Sequence, residues 1–509
     1  MTARHWRDRD AVRRVRTAVA RRLGVDARAL AAFRAALAAL VVADVLLRAR
    51  FLTAFYTDAG VLPRSLLYEQ YGALSQLSLH TLSGAAWLQA GLFGLTLVTA
   101  LAMLVGYRTR LATLLTGVLL TSLHYRNPLV LNSGDTLLRM LFLWGVFLPL
   151  GRRWSVDALH ASATESSGGS EVDRAPANRV LSVATAGVLL QVVVVYATNA
   201  VLKLRGDRWL SGDATRHVLE LDMFTVLLGD VLAQYPTLLT AFDRLWLGML
   251  VGSVLLVVLT GWARAAFAGL FAAVHLGMLA SMQLGLFPLV SIAALVPFLP
   301  AAIWDRLPGW RVIPGLRDRP VSRSVSALAS GLPDVGLPDA ARIRAARRWK
   351  RRVLPPLLAV LLVGVLAWNA ATVGLVGVPD AAPVDDSPNP RWGMFAPTPA
   401  ATDYWVVAPA TLDAGDSVDA FHGGEVTWTE PPDVARSYPS ARWRKYVSNL
   451  RSTRDTSLAG GFADYLCTRP ESEDAMVSVS VFVVEQPVRG ADSDETERVE
   501  LAATNCSTP

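Results

Sequence analysis

The sequence predicts an all-α polytopic membrane bundle of about nine transmembrane helices, followed by a small C-terminal extracytoplasmic domain that is α+β or β-rich. Three observations carry this. Of 509 residues, 52% are hydrophobic and only 18% charged, an apolar excess for a soluble domain. The apolar residues gather into blocks near the roughly 20-residue length that crosses a bilayer. The arginines gather between those blocks.

The blocks are residues 30–49, 84–106, 111–123, 136–150, 180–202, 242–261, 265–284, 286–303 and 353–376. Several are short for a full crossing, so tilted or re-entrant segments are expected. Residues 1–29 are dense in arginine, and the turns Gly106-Tyr-Arg-Thr-Arg110 and Gly151-Arg-Arg153 are basic. So is the segment 305–352, which ends in Arg344-Ala-Ala-Arg347-Arg348-Trp-Lys350-Arg351-Arg352. If every block crosses, all four fall on one side, which the positive-inside rule makes cytoplasmic. The protein is then a multi-pass cell-membrane protein with its N-terminus inside and its C-terminus outside. Residues 1–29 carry no apolar core with a small-residue cleavage site, so no removable signal peptide is expected.

Residues 155–178 and 318–340 are rich in Ser, Gly, Ala and Pro and read as flexible cytoplasmic linkers. The parts are thus a basic tail (1–29), a transmembrane domain (30–305), a basic linker (306–352), a last helix (353–376) and an outer domain (377–509). In the outer domain Met476-Val-Ser-Val-Ser-Val-Phe482 alternates as a strand does. Cys467 and Cys506 both lie there, and a disulfide between them would need an oxidising compartment. The net charge of +7 orients the spans; no nucleic-acid partner is expected. Abundant arginine beside sparse lysine (Lys203, Lys350, Lys445) points to a high-GC genome, as in a halophile.

Ionisable residues inside spans are costly and are functional hypotheses by default. Asp44 and Arg48 have i,i+4 spacing in the first block, with Arg34 in roughly the same arc. They could fix helix position or face a substrate. Around the fourth block stand His124, Arg126, Asn127, Asn132, Ser133, Asp135 and Arg139, with Asp135 and Arg139 again at i,i+4 spacing. Asn132, Ser133 or Asp135 could cap the helix that follows, or the group could line a wet cavity. Tyr196, Asn199 and Lys203 share one face. Lys203 could snorkel to the interface, or act as a base if held away from water. His275 is a core residue or a proton-transfer group. No Walker loop, H-E-x-x-H, metal-like Cys/His spacing or G-x-S-x-G elbow is present.

Phe55-Tyr-Thr-Asp-Ala-Gly-Val-Leu-Pro-Arg64, Ser122-Leu-His-Tyr-Arg-Asn127, Gly134-Asp135 and Phe147-Leu-Pro-Leu-Gly151 resemble the horizontally transferred transmembrane (HTTM) domain, over about residues 25–305. Trp392-Gly-Met-Phe-Ala-Pro397 and Arg442-Trp-Arg-Lys-Tyr446 look like the tail of prokaryotic members. That domain is similar to the membrane part of the vitamin K-dependent gamma-carboxylases, which deprotonate a quinol to generate a strong base. Lys203-Leu-Arg-Gly-Asp-Arg-Trp209 looks like the context of their base lysine, with one residue inserted, and His275 precedes Phe287-Pro288 at the family's spacing. The chain departs from them at Arg126-Asn127-Pro128, where Pro128 stands in place of a carboxylase histidine and His124 is offset.

The resemblance implies a site in which Lys203 is the general base and His275 hydrogen-bonds or shuttles a proton. His124, Asn127, Asp135 and Arg139 would order a polar floor, and Asn199 would orient Lys203. The cofactor or substrate implied is a vitamin K-type naphthoquinol or another hydrophobic small molecule, drawn from membrane lipid. The alternative is a non-catalytic scaffold or lipid-binding protein whose outer domain recruits a protein partner. Internal symmetry with paired broken spans, which would favour a transporter, is not evident.

Overall fold

The computed structural model describes residues 2–166, 178–306, 340–376, 392–469, 475–488 and 496–506. An arginine-rich helix, α1 (Thr2–Leu23), leads into the bundle, where the sequence reads only a charged tail. The bundle helices are α2 (Ala27–Ala49), α3 (Ala86–Val105), α4 (Thr109–Arg126), α5 (Ser133–Gly145), α6 (Val183–Lys203), α7 (Pro236–Val251), α8 (Gly261–Ser281) and α9 (Phe287–Leu295). A long helix, α10 (Ala340–Thr372), follows.

Among the described residues six helices are long and apolar enough to cross a membrane. They are Ala27–Ala49, Ala86–Val105, Val183–Lys203, Pro236–Val258, Gly261–Ser281 and Arg352–Thr372. These six do not confirm the expected nine crossings. α5 has 13 residues and α9 only nine, about 20 Å and 14 Å at 1.5 Å per residue. α4, with 18 residues, ends in His124 and Arg126 and carries six hydroxyl residues and Arg110, which dilute its apolar character. α5 and α9 pack inside the bundle, where a short helix is covered by protein, whereas α4 buries one face and leaves Leu111, Leu114, Leu115 and Val118 exposed on the other.

The helix ends follow local chemistry. Asn132 and Asp135 form a reciprocal capping box at α5, and Ser182 with Thr185 does the same at α6. α3 ends on Gly106 in the left-handed conformation (φ 73°). Asp157 accepts from Arg108 N and Thr109 N, both at 2.8 Å, and so caps α4. Asp157 lies on a helix, Val156–Ser166, in a stretch read from the sequence as a flexible linker; an Ala-rich run with an acidic first turn overrides the loop composition. Residues 167–177 and 318–339, the rest of the expected linkers, lie outside the described residues.

α6 is the central helix, with 78% of its apolar window buried, whereas the last span is 6% buried and faces outward. Trp144 of α5 lies flat against Gly187 of α6, where any side chain would collide with the indole. α1 and the C-terminal domain sit at opposite ends of the bundle. Arg264, near the start of α8, donates to the Arg22 carbonyl (2.9 Å). Gln283, just past the end of α8, accepts from Arg444 of the C-terminal domain (3.1 Å).

The C-terminal domain is α+β. Its strands are β1 (Thr402–Val407), β2 (Pro409–Leu412), β3 (Ser417–Asp419), β4 (Met476–Pro487) and β5 (Glu497–Asn505). β1 and β2 run end to end along one edge of β4, β5 along the other, and β3 extends from β2, all antiparallel. Helices α11 (Ala441–Thr453) and α12 (Thr456–Cys467) pack with the sheet, and Cys467 is bonded to Cys506.

Candidate functional site

The C-terminal ends of α2, α6 and α8 gather the polar residues of the bundle beneath the C-terminal domain. They form two separate constellations there.

The first is built on α6. Tyr196, Asn199 and Lys203, at three- and four-residue spacing, are all buried. The Tyr196 hydroxyl is 2.9 Å from His275 Nε2, and the two rings stack. His275 Nδ1 is buried with no partner. Trp246 and Phe287 stand edge-on to the imidazole. These groups line a cavity of about 30 Å³ that also touches Asn199, Ser291 and Trp392. A water needs roughly 10–15 Å³ on that measure, so the space suits one or two waters and no ring-sized ligand.

The cavity is narrow because the chain past the last span turns back over it. Residues 392–397, the Trp-Gly-Met-Phe-Ala-Pro motif, form a strap. Its carbonyls take up the donors of the α6 face in sequence. Asn199 Nδ2 donates to Trp392 O at 2.7 Å, Lys203 Nζ to Met394 O at 3.2 Å and Trp209 Nε1 to Phe395 O at 2.7 Å. The Trp392 indole donates to Asn369 of α10 at 2.8 Å. Gly206 passes so close to the Pro397 carbonyl that a Cβ there would overlap it. The Lys203 ammonium also lies 3.0 Å from the centroid of the Trp209 ring, a cation–π contact. Among the described residues no carboxylate pairs with it. Lys203 is therefore next to the cavity, one turn beyond Asn199, and separated from it by the strap.

The second constellation joins the bundle to the outer domain. Arg48 Nε donates to Asp44 at 2.7 Å, its Nη2 to Asp135 at 2.6 Å and its Nη1 to the Tyr56 hydroxyl at 2.7 Å. From the other side Arg442 of α11 reaches Asp44, Asp135 (3.1 Å) and the Val130 carbonyl (3.0 Å). His124 Nε2 is 3.1 Å from Arg48 Nη2. The same Nε2 lies 3.6 Å from Asp135, and Nδ1 is buried without a partner. Asp44, His124 and Asp135 place ligand atoms within 4.8 Å of one another, a metal-like grouping. The two guanidiniums already fill it and balance both carboxylates, so the cluster is a closed ion network.

The rest of α11 completes the dock. Trp443 packs on Phe55 at 4.5 Å between ring centroids, and Arg444 lies 4.2 Å over Phe224 while donating to the carbonyls of Met223 and Gln283. Asp403 of β1 accepts from Met223 N at 3.1 Å. Burial pushes the Asp403 carboxyl up to about 7, with Asp222 adding to the rise and the backbone donors opposing it. In the loop before α3, His80 is buried against Ser122 (2.7 Å), and burial, with the charge of Arg126, pulls its imidazole down to about 3.

The expected site residues thus divide. His275 and Asn199 share the cavity, with Lys203 adjacent. His124 and Asp135 belong to the ion network. Asn127 holds the backbone at Phe55 O (3.0 Å) and Leu129 N (3.1 Å), and Arg139 donates to Thr136 (3.2 Å) over the Tyr125 ring. A single polar floor joining all of them is not formed. Arg34 does not join Asp44 and Arg48 either. Ten residues, about 15 Å along a helix, separate it from Asp44, and it caps the carbonyls of Leu104, Leu150, Arg153 and Trp154. Arg442 and the strap fall in the two motifs that look like a family tail, which assigns neither a role, and nothing local in the sequence singles out Asp403.

A family model, the HTTM domain, matches residues 23–304. The chain belongs to the HTTM family. It is thereby a multi-pass membrane protein, with lipid as its surroundings. No curated protein and no solved structure matches this HTTM protein.

Proposed function

We propose that this HTTM protein is a membrane enzyme of the carboxylase-like type, taking a proton from a lipid quinol or similar hydrophobic substrate at the Lys203–His275 constellation. One observation carries the reading: Lys203 is buried at 2% exposure beside a buried His275–Tyr196 pair, in contact with a carbonyl and an indole face, while the one acid that acts on it among the described residues, the buried Asp243 of α7, does so from beyond ion-pair distance and is itself bonded to Thr215. Isolated charge at membrane depth is expensive, and a purely structural lysine would normally be given a carboxylate. In this reading the strap withdraws to admit substrate. Lys203, in its neutral amine form in that state, then accepts the substrate hydroxyl proton and becomes the ammonium, Asn199 orients the amine, and His275 with Tyr196 holds the second oxygen.

A second reading is favoured by the cavity's size and by the match of strap carbonyls to α6 donors. In it the constellation is only the seat of the outer domain, and the protein is a scaffold. The test is to purify the protein with its native lipids and identify co-purifying quinones by mass spectrometry. The enzyme reading expects a quinone enriched over bulk lipid and lost in Lys203→Ala. Unchanged lipid content together with an unchanged cellular phenotype favours the scaffold.

We also infer that the C-terminal domain is extracytoplasmic and α1 cytoplasmic. The basic loops and the Cys467–Cys506 pairing support this. Cysteine labelling from outside should reach single cysteines introduced in the outer domain and miss those placed in 305–352; the reverse pattern refutes the orientation.

A further inference from the structure

At the end of the bundle away from the C-terminal domain, the turn that closes α3 and opens α4 meets the turn that follows α5. Between them is a cavity of about 390 Å³, lined by Arg108, Thr109, Arg110, Leu111, Arg152 and Asp157, among others. The three guanidiniums come from two turns distant in sequence and converge on one space. Among the described residues none of them pairs with a carboxylate. Asp157, the one acid in the wall, is spent on the backbone N–H groups of Arg108 and Thr109. Thr109 is 2% exposed, and its hydroxyl oxygen is buried without a hydrogen-bond partner. Three guanidiniums without a carboxylate partner and an idle hydroxyl suit a phosphate oxygen, while Asp157 already holds the first N–H groups of the helix.

One wall of this cavity is apolar. Leu111 begins a stripe with Leu114, Leu115 and Val118, which are 48%, 44%, 41% and 48% exposed. These positions are i, i+3, i+4 and i+7, one continuous face of α4, and an exposed apolar face on a membrane helix lies against acyl chains. A phosphate in the cavity would therefore sit directly above a hydrocarbon track. We propose that this groove is a binding site for the phosphate headgroup of an anionic phospholipid, with its chains along α4. A free phosphate would use the arginines but not the leucine stripe, which is why a lipid is the better occupant. The arginines that orient the spans here also grip one lipid molecule.

The experiment uses the full-length protein, purified and delipidated in detergent. Native mass spectrometry follows titration with phosphatidylglycerol, with phosphatidylcholine and, separately, with inorganic phosphate. Wild type should bind one phosphatidylglycerol about tenfold more tightly than phosphatidylcholine, one factor of ten being 1.4 kcal/mol. Arg108→Gln/Arg110→Gln/Arg152→Gln should erase that preference. The equal charge loss Arg13→Gln/Arg14→Gln/Arg16→Gln in α1 should leave it intact. The single variant Arg110→Gln, at an exposed position, should lose about threefold and guards against misfolding of the triple. Unchanged preference in the triple and single variants overturns the proposal, as does equal loss in the α1 control. Protection by inorganic phosphate matching that of phosphatidylglycerol overturns the lipid assignment.

Discussion

Arg442→Met should loosen the outer domain from the bundle. Arg442 is the second of two guanidiniums facing Asp44 and Asp135, whose side chains are 2% and 5% exposed. Arg48 retains its bonds to both at 2.7 and 2.6 Å, but one negative charge is left buried without a counter-ion. Removing one partner of a buried pair costs about 3–5 kcal/mol. Because the Arg442 side chain is 16% exposed, the lower end, about 3 kcal/mol, is expected after allowance for screening. At about 2–4 °C per kcal/mol for a unit of 150–250 residues, the unfolding midpoint should fall by about 10 °C. The assay is thermal unfolding of the purified protein in detergent, paired with limited proteolysis of the outer domain. Adding Asp135→Asn to Arg442→Met restores neutrality and should recover at least half of the loss; an Asn still accepts the Asn132 N–H that Asp135 Oδ2 holds at 2.8 Å. A midpoint shift under 2 °C, or a double variant no better than the single, would refute the ion-network argument.

Three further outcomes are expected. Gly206→Ala should expel the strap, because the new methyl overlaps the Pro397 carbonyl; faster proteolysis at 392–397 with Lys203 unaltered is the readout, and wild-type protection would contradict the packing. The raised Asp403 carboxyl makes docking strongest at low pH. Its folded value of about 7 exceeds the ordinary 3.8, so its contribution, about 4 kcal/mol at most, is complete below pH 4 and is lost as pH rises through 7. The unfolding midpoint should fall between about pH 4 and 7 in wild type and level off above that, with the slope lost in Asp403→Asn; identical pH profiles would remove Asp403 from the account. Tyr196→Phe takes away the one hydrogen-bond partner that His275 has among the described residues and should cost about 1–3 kcal/mol, measured as a lower unfolding midpoint than wild type, with no change counting against that bond.

Much of the membrane domain is legible because membrane helices satisfy their backbone internally and must be apolar outside. The i,i+4 pair Asp44–Arg48 and the cap at Asn132 are local, and spacing alone finds them. Crossing number is less legible. Residues 133–145 and 287–295 are as apolar as spans but stop short inside protein, and hydropathy does not distinguish lipid from a protein interior. The site is the least legible part. Lys203 and Met394 are 191 residues apart, and Arg442 and Asp44 398 apart. What fixes their roles is a main-chain carbonyl in one case and a counter-ion from another domain in the other. No periodicity within α6 or α2 encodes either. The helix at Val156–Ser166 failed to register because its Ser and Ala content looks like a linker until Asp157 is seen capping α4.

The central claim, that the α6 face under the strap receives a hydrophobic substrate, is tested most directly with a photoreactive naphthoquinone in native-lipid nanodiscs, mapping the attachment sites by mass spectrometry. The account predicts attachment at Tyr196, Trp246, His275 or Phe287, suppressed by excess unlabelled naphthoquinone and increased in Gly206→Ala. Attachment confined to the lipid-facing residues Leu101, Leu114 and Val118, unchanged by competitor and by Gly206→Ala, would contradict it.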